Sequence, residues 1–142
     1  MTKLDEAIEA ARVAAISPPN PVNARDAVLA ILRAAADDER VRENLRDVPA
    51  SRALLRFTDS TEAIEFQAGN GSLHAEAADI KGKGPKVDAT GATWLGLTSG
   101  TLKPWLAFTR GMVVARAGLT ELRWLQQVAE RLQRAYKEER SA

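Results

Sequence analysis

The run from Thr90 to Gly111 constrains the fold most, because its residues mark the ends of two short helices. Thr90 and Thr101 are predicted to be the N-caps, since each hydroxyl can accept a hydrogen bond from a first-turn backbone N–H. Gly100 and Gly111 stand where left-handed residues end helices. Pro104 falls in the first turn of the second helix, where its missing N–H costs little.

These two helices are rich in large apolar side chains, namely Trp94, Leu95, Leu97, Leu102, Trp105, Leu106 and Phe108. Helices of this length do not persist alone in water, because nucleation costs more than a few hydrogen bonds return. The run must therefore lie against a larger apolar surface or against a ligand. The two interpretations are compatible, since the wall of a cavity is a core surface with one side open.

The N-terminal third predicts three helices separated by breaks. The first covers residues 3–16 and ends at the proline-rich run 17–21. Asn23 is the expected N-cap of the second helix. Residues 37–38 begin a third, shorter helix, which Pro49 ends. We interpret these helices as packing elements, with a dimer contact or a lid as the alternative.

A change from helical spacing to strict alternation predicts four strands in the middle of the chain. The dipeptide Asn70-Gly71 predicts a two-residue hairpin between the second and third strands, because both residues tolerate the turn's positive φ angles. The first two strands are expected to pair across a short turn. The strands are predicted at residues 53–59, 63–68, 72–80 and 86–89.

The C-terminal part predicts a fifth strand at residues 112–117 and a long helix capped by Thr120 and reaching about Glu138. On a helical wheel Trp124 falls about 80° from the centre of the apolar stripe, which predicts a place at the rim of the core. The stripe itself, at steps of three and four, consists of Leu122, Leu125, Val128, Ala129, Leu132 and Tyr136.

The order of elements predicts an α+β fold, a five-stranded, mainly antiparallel sheet with helices packed on one face. We expect a single domain over residues 1–142. Within it, residues 1–50 form a helical N-terminal extension and residues 53–138 form the core.

Composition argues against several classes of partner and site. The net charge is +1, so there is no electrostatic case for nucleic acid. The chain has no cysteine and one histidine, which argues against a disulfide framework and against a metal site. It shows neither a signal-peptide pattern at its N-terminus nor an apolar run of transmembrane length, and we expect a cytoplasmic protein that needs no cofactor.

Candidate catalytic groups are few. His74 alternates with apolar neighbours on a strand and is expected to face solvent. Glu65 and Glu76 are expected to meet across two strands, more in keeping with a solvated face than with an acid–base pair. The run from Lys81 to Gly84 lacks the order of a phosphate-binding loop, and we interpret it as a flexible turn, with contact to an anionic headgroup as the alternative.

The segment from Leu54 to about Leu132 resembles the sterol carrier protein type-2 family of lipid-binding domains. The resemblance rests on three blocks of sequence, whose spacing agrees with the family's pattern without gaps. They are Thr90-Gly91-Ala92-Thr93-Trp94-Leu95, Thr98-Ser99-Gly100-Thr101-Leu102-Lys103-Pro104 and Ala107-Phe108-Thr109-Arg110-Gly111. Two departures stand out: Gly84 replaces the usual Asp before the fourth strand, and the last strand is about one residue longer, which predicts a bulge or a shifted end.

This resemblance implies a five-stranded sheet with an apolar tunnel between the sheet, the two short helices and the last helix. It also implies non-catalytic binding of a fatty acyl chain, acyl-CoA, a phospholipid or a sterol. The sequence therefore predicts a lipid-binding or lipid-transfer protein, with Trp124 at the tunnel's entrance. The predicted ligand-binding residues are Trp94, Leu95, Leu97, Leu102, Trp105, Leu106, Phe108, Leu122, Trp124 and Leu125.

Two other classes of function stay open from the sequence. One is a protein-interaction or dimerisation module whose core is closed. The other is a small α+β enzyme acting on a hydrophobic substrate, with His74 or Asp88 as its base. A transient contact with a membrane and a homodimer also stay open as partners.

Overall fold

A computed structural model describes residues 3–16, 24–116 and 118–137. The predicted break at 17–21, the Asn23 cap, Ala117 and the end of the chain from Glu138 lie outside the described residues. The helices and strands, in chain order, are α1 Lys3–Ile16, α2 Ala24–Ala36, α3 Glu39–Asn44, β1 Ser51–Phe57, β2 Glu62–Gly69, β3 Ser72–Asp79, β4 Lys86–Ala89, α4 Gly91–Ser99, α5 Pro104–Thr109, β5 Val114–Ala115 and α6 Leu119–Lys137.

The five strands form one sheet in the order β3-β2-β1-β4-β5. All neighbours are antiparallel except β1 and β4, which run parallel. The predicted α+β fold with a mainly antiparallel five-stranded sheet is therefore confirmed. One face of the sheet carries the core beneath the helices, because alternate strand residues are apolar and buried there, among them Leu55, Phe57, Ile64, Phe66 and Val87.

The β2–β3 hairpin forms where the sequence predicts it. Gly69 pairs with Ser72, so Asn70 and Gly71 alone make the turn. Their φ angles are 51° and 78°, both positive, as a two-residue turn that follows the twist of the sheet requires. The turn fixes the register, which puts Glu65 opposite Glu76 on the polar face as predicted.

The connection from β3 to β4 crosses the face of the sheet that lies opposite the helices. Leu54 points to that face and is nevertheless fully buried. The connection covers it, since a β-carbon built on Gly82 would lie 3.0 Å from a Leu54 methyl group. The backbone N–H of Leu54 also donates to the carbonyl of Pro85 at 2.7 Å. This loop therefore lays β4 beside β1 and makes the single parallel pair.

Several predicted helix ends differ from the structure. Thr101 does not cap α5; Lys103 is the N-cap, without a side-chain hydrogen bond, and Pro104 is the first helical residue. The Thr101 hydroxyl lies 3.3 Å from the Ser99 hydroxyl instead. Thr120 does not cap α6 either, because that helix already begins at Leu119. By contrast, Thr90 caps α4, and Gly100 ends it with a φ of 86°, as predicted.

The fifth strand is much shorter than its sequence predicts. Of the expected residues 112–117, Val114 and Ala115 form β5. The reason is that the Met112 N–H still donates to the carbonyl of Ala107 in α5, at 2.9 Å. The chain therefore leaves α5 late and joins the sheet edge through one short contact with β4.

The N-terminal helices pack onto the rest of the molecule. Helix α2 lies against α4 and β3, α1 lies against α2 and α4, and α3 lies against α6. Asp38 caps α3 by accepting hydrogen bonds from the backbone N–H groups of Arg40 and Val41, so this helix begins where the sequence predicts. None of the helices among the described residues is long and apolar enough to cross a membrane.

Candidate functional site

Helix α4 is fixed to the sheet by its tryptophan. The indole N–H of Trp94 donates to the backbone carbonyl of Arg56 at 3.0 Å. The indole ring also packs against Phe57, with ring centroids 6.5 Å apart. A buried tryptophan needs a partner for its N–H, and this bond sets how α4 lies across β1.

The junction between α4 and α5 is tight. The carbonyl of Gly96 accepts backbone hydrogen bonds from Gly100, Thr101 and Leu102, each 3.0 Å long. A β-carbon built on Gly96 would lie 2.8 Å from the Leu102 β-carbon, so only glycine allows this approach. The amide nitrogen of Gln133 in α6 donates to the carbonyls of Leu97, at 3.0 Å, and Leu102, at 2.7 Å. Gln133 therefore ties the junction to α6.

Helix α5 is short and has no side-chain cap. It has six residues, and its N-cap makes no side-chain hydrogen bond. Its Trp105 side chain points into solvent, whereas Phe108 is half-buried and faces the core. Gly111, with a φ of 70°, follows the helix. Helix α5 is thus a short apolar wall that is buried at Pro104 and Ala107 and open to solvent at Trp105.

These elements enclose a small apolar cavity. Its volume is about 30 Å³. Its one polar lining residue is Thr98, whose hydroxyl donates to the Trp94 carbonyl at 2.9 Å and is satisfied within α4. The cavity is lined by Leu32, Leu55, Phe66, Trp94, Leu97, Thr98, Phe108, Leu125, Val128, Ala129 and Leu132.

A cavity of this size does not hold a lipid. Sites for drug-sized ligands have volumes of roughly 300–1,000 Å³. This cavity is therefore much smaller than the open tunnel that the sequence resemblance implies. The physical reason is that large side chains from α4, α5 and α6 meet over the sheet and fill most of the space between them.

The structure brings together four of the ten residues predicted to bind ligand, namely Trp94, Leu97, Phe108 and Leu125. Three more, Leu95, Leu102 and Leu122, are half-buried against the core without lining the cavity, and Leu106 is half-buried too. Trp105 is exposed. Contact of these residues with a ligand stays a prediction.

The expected place of Trp124 at the rim of the core is wrong. Its side chain is only 6% exposed. Its indole N–H donates to the carbonyl of Pro49 at 3.1 Å, and its ring packs on Phe66 with centroids 5.9 Å apart. The helical wheel missed this because the chain between α3 and β1 covers a flank of α6 that the wheel leaves open.

Sequence reasoning did not assign the other lining residues to a site. Val128, Ala129 and Leu132 belong to the predicted apolar stripe of α6, so the stripe was the available signal. Leu55 and Phe66 face the core on neighbouring strands. Leu32 comes from α2, within the segment that the sequence assigned to an N-terminal extension, and nothing in its local pattern distinguishes it from ordinary core.

The candidate bases lie away from the cavity. The carboxylate of Asp88 is buried and accepts hydrogen bonds from Arg56, at 2.6 and 2.8 Å, and from Arg116, at 2.9 Å. The hydrogen bond from Arg56, assisted by Arg116 and opposed by burial, lowers the pKa of Asp88 and makes it a weak base. His74 is exposed and lies 3.0 Å from Glu76. Nor do the described residues contain a cluster of three acidic, histidine or cysteine side chains suited to a metal ion.

Comparison with known proteins agrees with this architecture. The sequence matches no family model and no curated protein. The crystal structure of sterol carrier protein 2 superposes with a TM-score of 0.57 at 20% identity, covering 75% of this chain and 90% of that one. The chain has the sterol carrier protein 2 fold. A second structure with this fold is the solution structure of a conserved hypothetical protein from Thermus thermophilus, which has been suggested to be a sterol carrier protein. It superposes with a TM-score of 0.56 at 21% identity, covering 76% of this chain and 82% of that one.

Proposed function

We propose that this protein binds a lipid-like molecule with a long hydrocarbon chain in the cavity between the sheet and α2, α4, α5 and α6, without catalysing a reaction. The observation that carries the proposal is the apolar cavity itself, which lies in a fold shared with sterol carrier protein 2. Of the residues predicted from the sequence to bind ligand, we assign ligand contacts to the four that line the cavity, Trp94, Leu97, Phe108 and Leu125.

Binding requires the cavity to widen, and α5 is the wall that moves. The neighbouring walls are fixed, since Trp94 holds α4 to β1 and Gln133 holds the α4–α5 junction to α6. Helix α5 follows that junction and contributes Phe108 to the lining. Moving α5 outward therefore opens the cavity while the sheet and α6 keep their packing.

The free energy of binding sets how much apolar surface the ligand must bury. A dissociation constant of about 1 µM corresponds to about −8 kcal/mol. Each methylene group that is removed from water contributes about 0.8 kcal/mol. About ten buried methylene groups are thus needed before the cost of opening the cavity is counted. This arithmetic favours a long acyl chain or a sterol over a short or polar molecule.

Titration with spin-labelled stearic acid tests the proposal, because the label quenches tryptophan only on close approach. We expect saturable quenching at micromolar concentration or below. In Trp105→Phe the quenching should persist, since Trp94 still lines the cavity. In Trp94→Phe the quenching should weaken, since Trp94 lines the cavity, whereas Trp105 points into solvent and Trp124 lies behind the lining residue Phe66.

A second measurement guards against indirect quenching. Saturating free stearic acid, at about 100 times its dissociation constant, should stabilise the fold by about 2.7 kcal/mol and raise the melting temperature. Ala129→Phe, which fills the cavity, should abolish both the rise and the quenching. A native protein that shows neither effect would contradict the proposal and favour an interaction module with a closed core.

A further inference from the structure

The large apolar side chains that the described residues expose are concentrated in one short segment. They are Trp105, Met112, Val114 and Leu119, with exposed fractions of 55%, 37%, 42% and 67%. Single exposed apolar side chains are common on protein surfaces, but a concentration of them indicates a place of contact. The segment from 105 to 119 is therefore a candidate interaction surface.

The same segment lies in a stretch without negative charge. The chain has 19 Asp and Glu residues, yet none falls between positions 89 and 120. That stretch carries Lys103, Arg110 and Arg116. Arg116 is paired with Asp88, whereas Lys103 and Arg110 are exposed and form no ion pair with any described residue. Two free cations thus accompany the exposed apolar side chains.

The elements that carry these residues share one neighbouring helix. Helix α5 and strand β5 both pack against α6. The Met112 N–H, bonded to the Ala107 carbonyl at 2.9 Å, folds the connection back onto α5. Strand β5 is the edge of the sheet, so nothing in the sheet covers its far side. We define the basic–apolar surface as Lys103, Trp105, Arg110, Met112, Val114 and Leu119.

We propose that the basic–apolar surface docks on an anionic membrane leaflet, with Trp105 in the headgroup region. Exposed apolar side chains flanked by unpaired cations suit the boundary between acyl chains and acidic headgroups. Tryptophan suits it as well, because its ring is apolar and its N–H is polar. The proposal goes beyond ligand binding and places α5, the movable wall of the cavity, at the source of the lipid.

A membrane fits this surface better than a second copy of the chain. In a twofold dimer the same patch meets itself, which would bring Lys103 and Arg110 of the two protomers close together. Like charges facing one another oppose association. An anionic leaflet supplies the complementary charge without needing a matching shape, so it satisfies the cations and the apolar side chains together.

Quenching of tryptophan by vesicles of brominated phosphatidylcholine, with and without phosphatidylserine, tests the docking. We expect quenching only when phosphatidylserine is present, and we expect Trp105→Phe to remove it. The paired variant Lys103→Gln/Arg110→Gln should bind about thirty-fold more weakly, since each cation near an anionic surface contributes about five-fold. A matched control, Arg33→Gln/Arg42→Gln, removes two exposed cations from α2 and α3 and should change binding by less than about two-fold, because charges distant from the surface are screened.

Several results would overturn the docking proposal. They are the absence of vesicle binding by the native protein, equal weakening in both paired variants, and Trp105 emission that shifts with protein concentration alone, which would indicate a dimer. Binding of an acidic protein without vesicle binding would point to another partner. Stearic acid binding by the native protein, measured without vesicles, separates the two proposals, since it should persist if only the docking proposal fails.

Discussion

Gln133 shows how one polar side chain organises an apolar site. It is buried on α6 although it is polar. Its burial is tolerated because its amide donates to two carbonyls at the α4–α5 junction. Carbonyls at a helix end have no partner within the helix and need one elsewhere when buried. The junction can therefore bury its backbone beside a cavity that offers no polar partner.

We predict that Gln133→Leu lowers the free energy of unfolding by about 1–3 kcal/mol, because the carbonyls of Leu97 and Leu102 lose their donor while the volume is nearly kept. Urea denaturation measures the change. The matched control is Gln126→Leu on the same helix, whose amide bonds to Glu130 at the surface. Such an exposed pair contributes only about 0.2–0.5 kcal/mol. Equal losses in the two variants would mean that the junction is not what Gln133 stabilises.

The three tryptophans differ in burial because different distant segments cover them. Trp94 and Trp124 are both buried and donate to backbone carbonyls of β1 and of the chain before it, whereas Trp105 faces solvent. Their sequence neighbourhoods gave no means of ranking them in this way, and the rim prediction for Trp124 was wrong. What separates them is which distant segment covers each ring.

At the scale of elements, α5 is the shortest of the helices that line the cavity. Helix α4 begins with a threonine cap and α3 with an aspartate cap, but α5 begins at Lys103 with no side-chain bond. Short, weakly capped helices open locally at a low free-energy cost. This is the physical basis for assigning the opening of the cavity to α5.

We predict that Lys103→Ser, which supplies the missing cap, stabilises α5 by about 1 kcal/mol. Amide hydrogen exchange should slow in residues 105–109 and stay unchanged in α6. If α5 gates the cavity, association with spin-labelled stearic acid should slow in stopped-flow measurements without vesicles. Slower exchange with an unchanged association rate would assign the opening to another element.

At the scale of the whole molecule, Asp88 joins the two halves of the sheet. Its carboxylate on β4 binds Arg56 on the parallel neighbour β1 and Arg116 just beyond the edge strand β5. The strand pairings there are short, with four residues in β4 and two in β5. These charged bonds therefore compensate for the limited backbone pairing at that side of the sheet.

We predict that Asp88→Asn lowers the free energy of unfolding by about 2 kcal/mol at neutral pH, because both arginines lose a charged acceptor. The pKa of Asp88 is lower in the folded state than its unfolded value of about 3.9. Its contribution is therefore complete above that value and disappears as the pH falls through the folded-state pKa.

Urea denaturation of the native protein and of Asp88→Asn across this pH range checks the prediction. The difference between them should be largest at neutral pH and should shrink in acid. Asp47→Asn is the control, since the Asp47 carboxylate pairs with Arg131 in a largely solvated position and its effect should be much smaller. A difference between native and Asp88→Asn that is constant with pH would show that ionisation of Asp88 does not stabilise the fold.

The sequence by itself determined the local structure and, through it, the fold. Alternation placed the first four strands, Asn70-Gly71 set the hairpin, and Thr90, Gly100 and Pro104 marked helix ends, because such signals depend on neighbours within a few residues. At Thr101 and Thr120 the cap was assigned to the wrong residue. The resemblance in the Thr90–Gly111 run led to the sterol carrier protein 2 fold, which the structure confirms.

Only the tertiary structure decided which apolar residues face one another and how much space they leave. The place of Leu32 in the cavity, the cover over Trp124, the small volume of the cavity and the exposure of Trp105 all depend on contacts between residues far apart in the chain. A pattern of hydrophobic residues states that a face is buried. It does not identify the distant residues that cover this face. The volume of a cavity is the small space that remains after many side chains have packed.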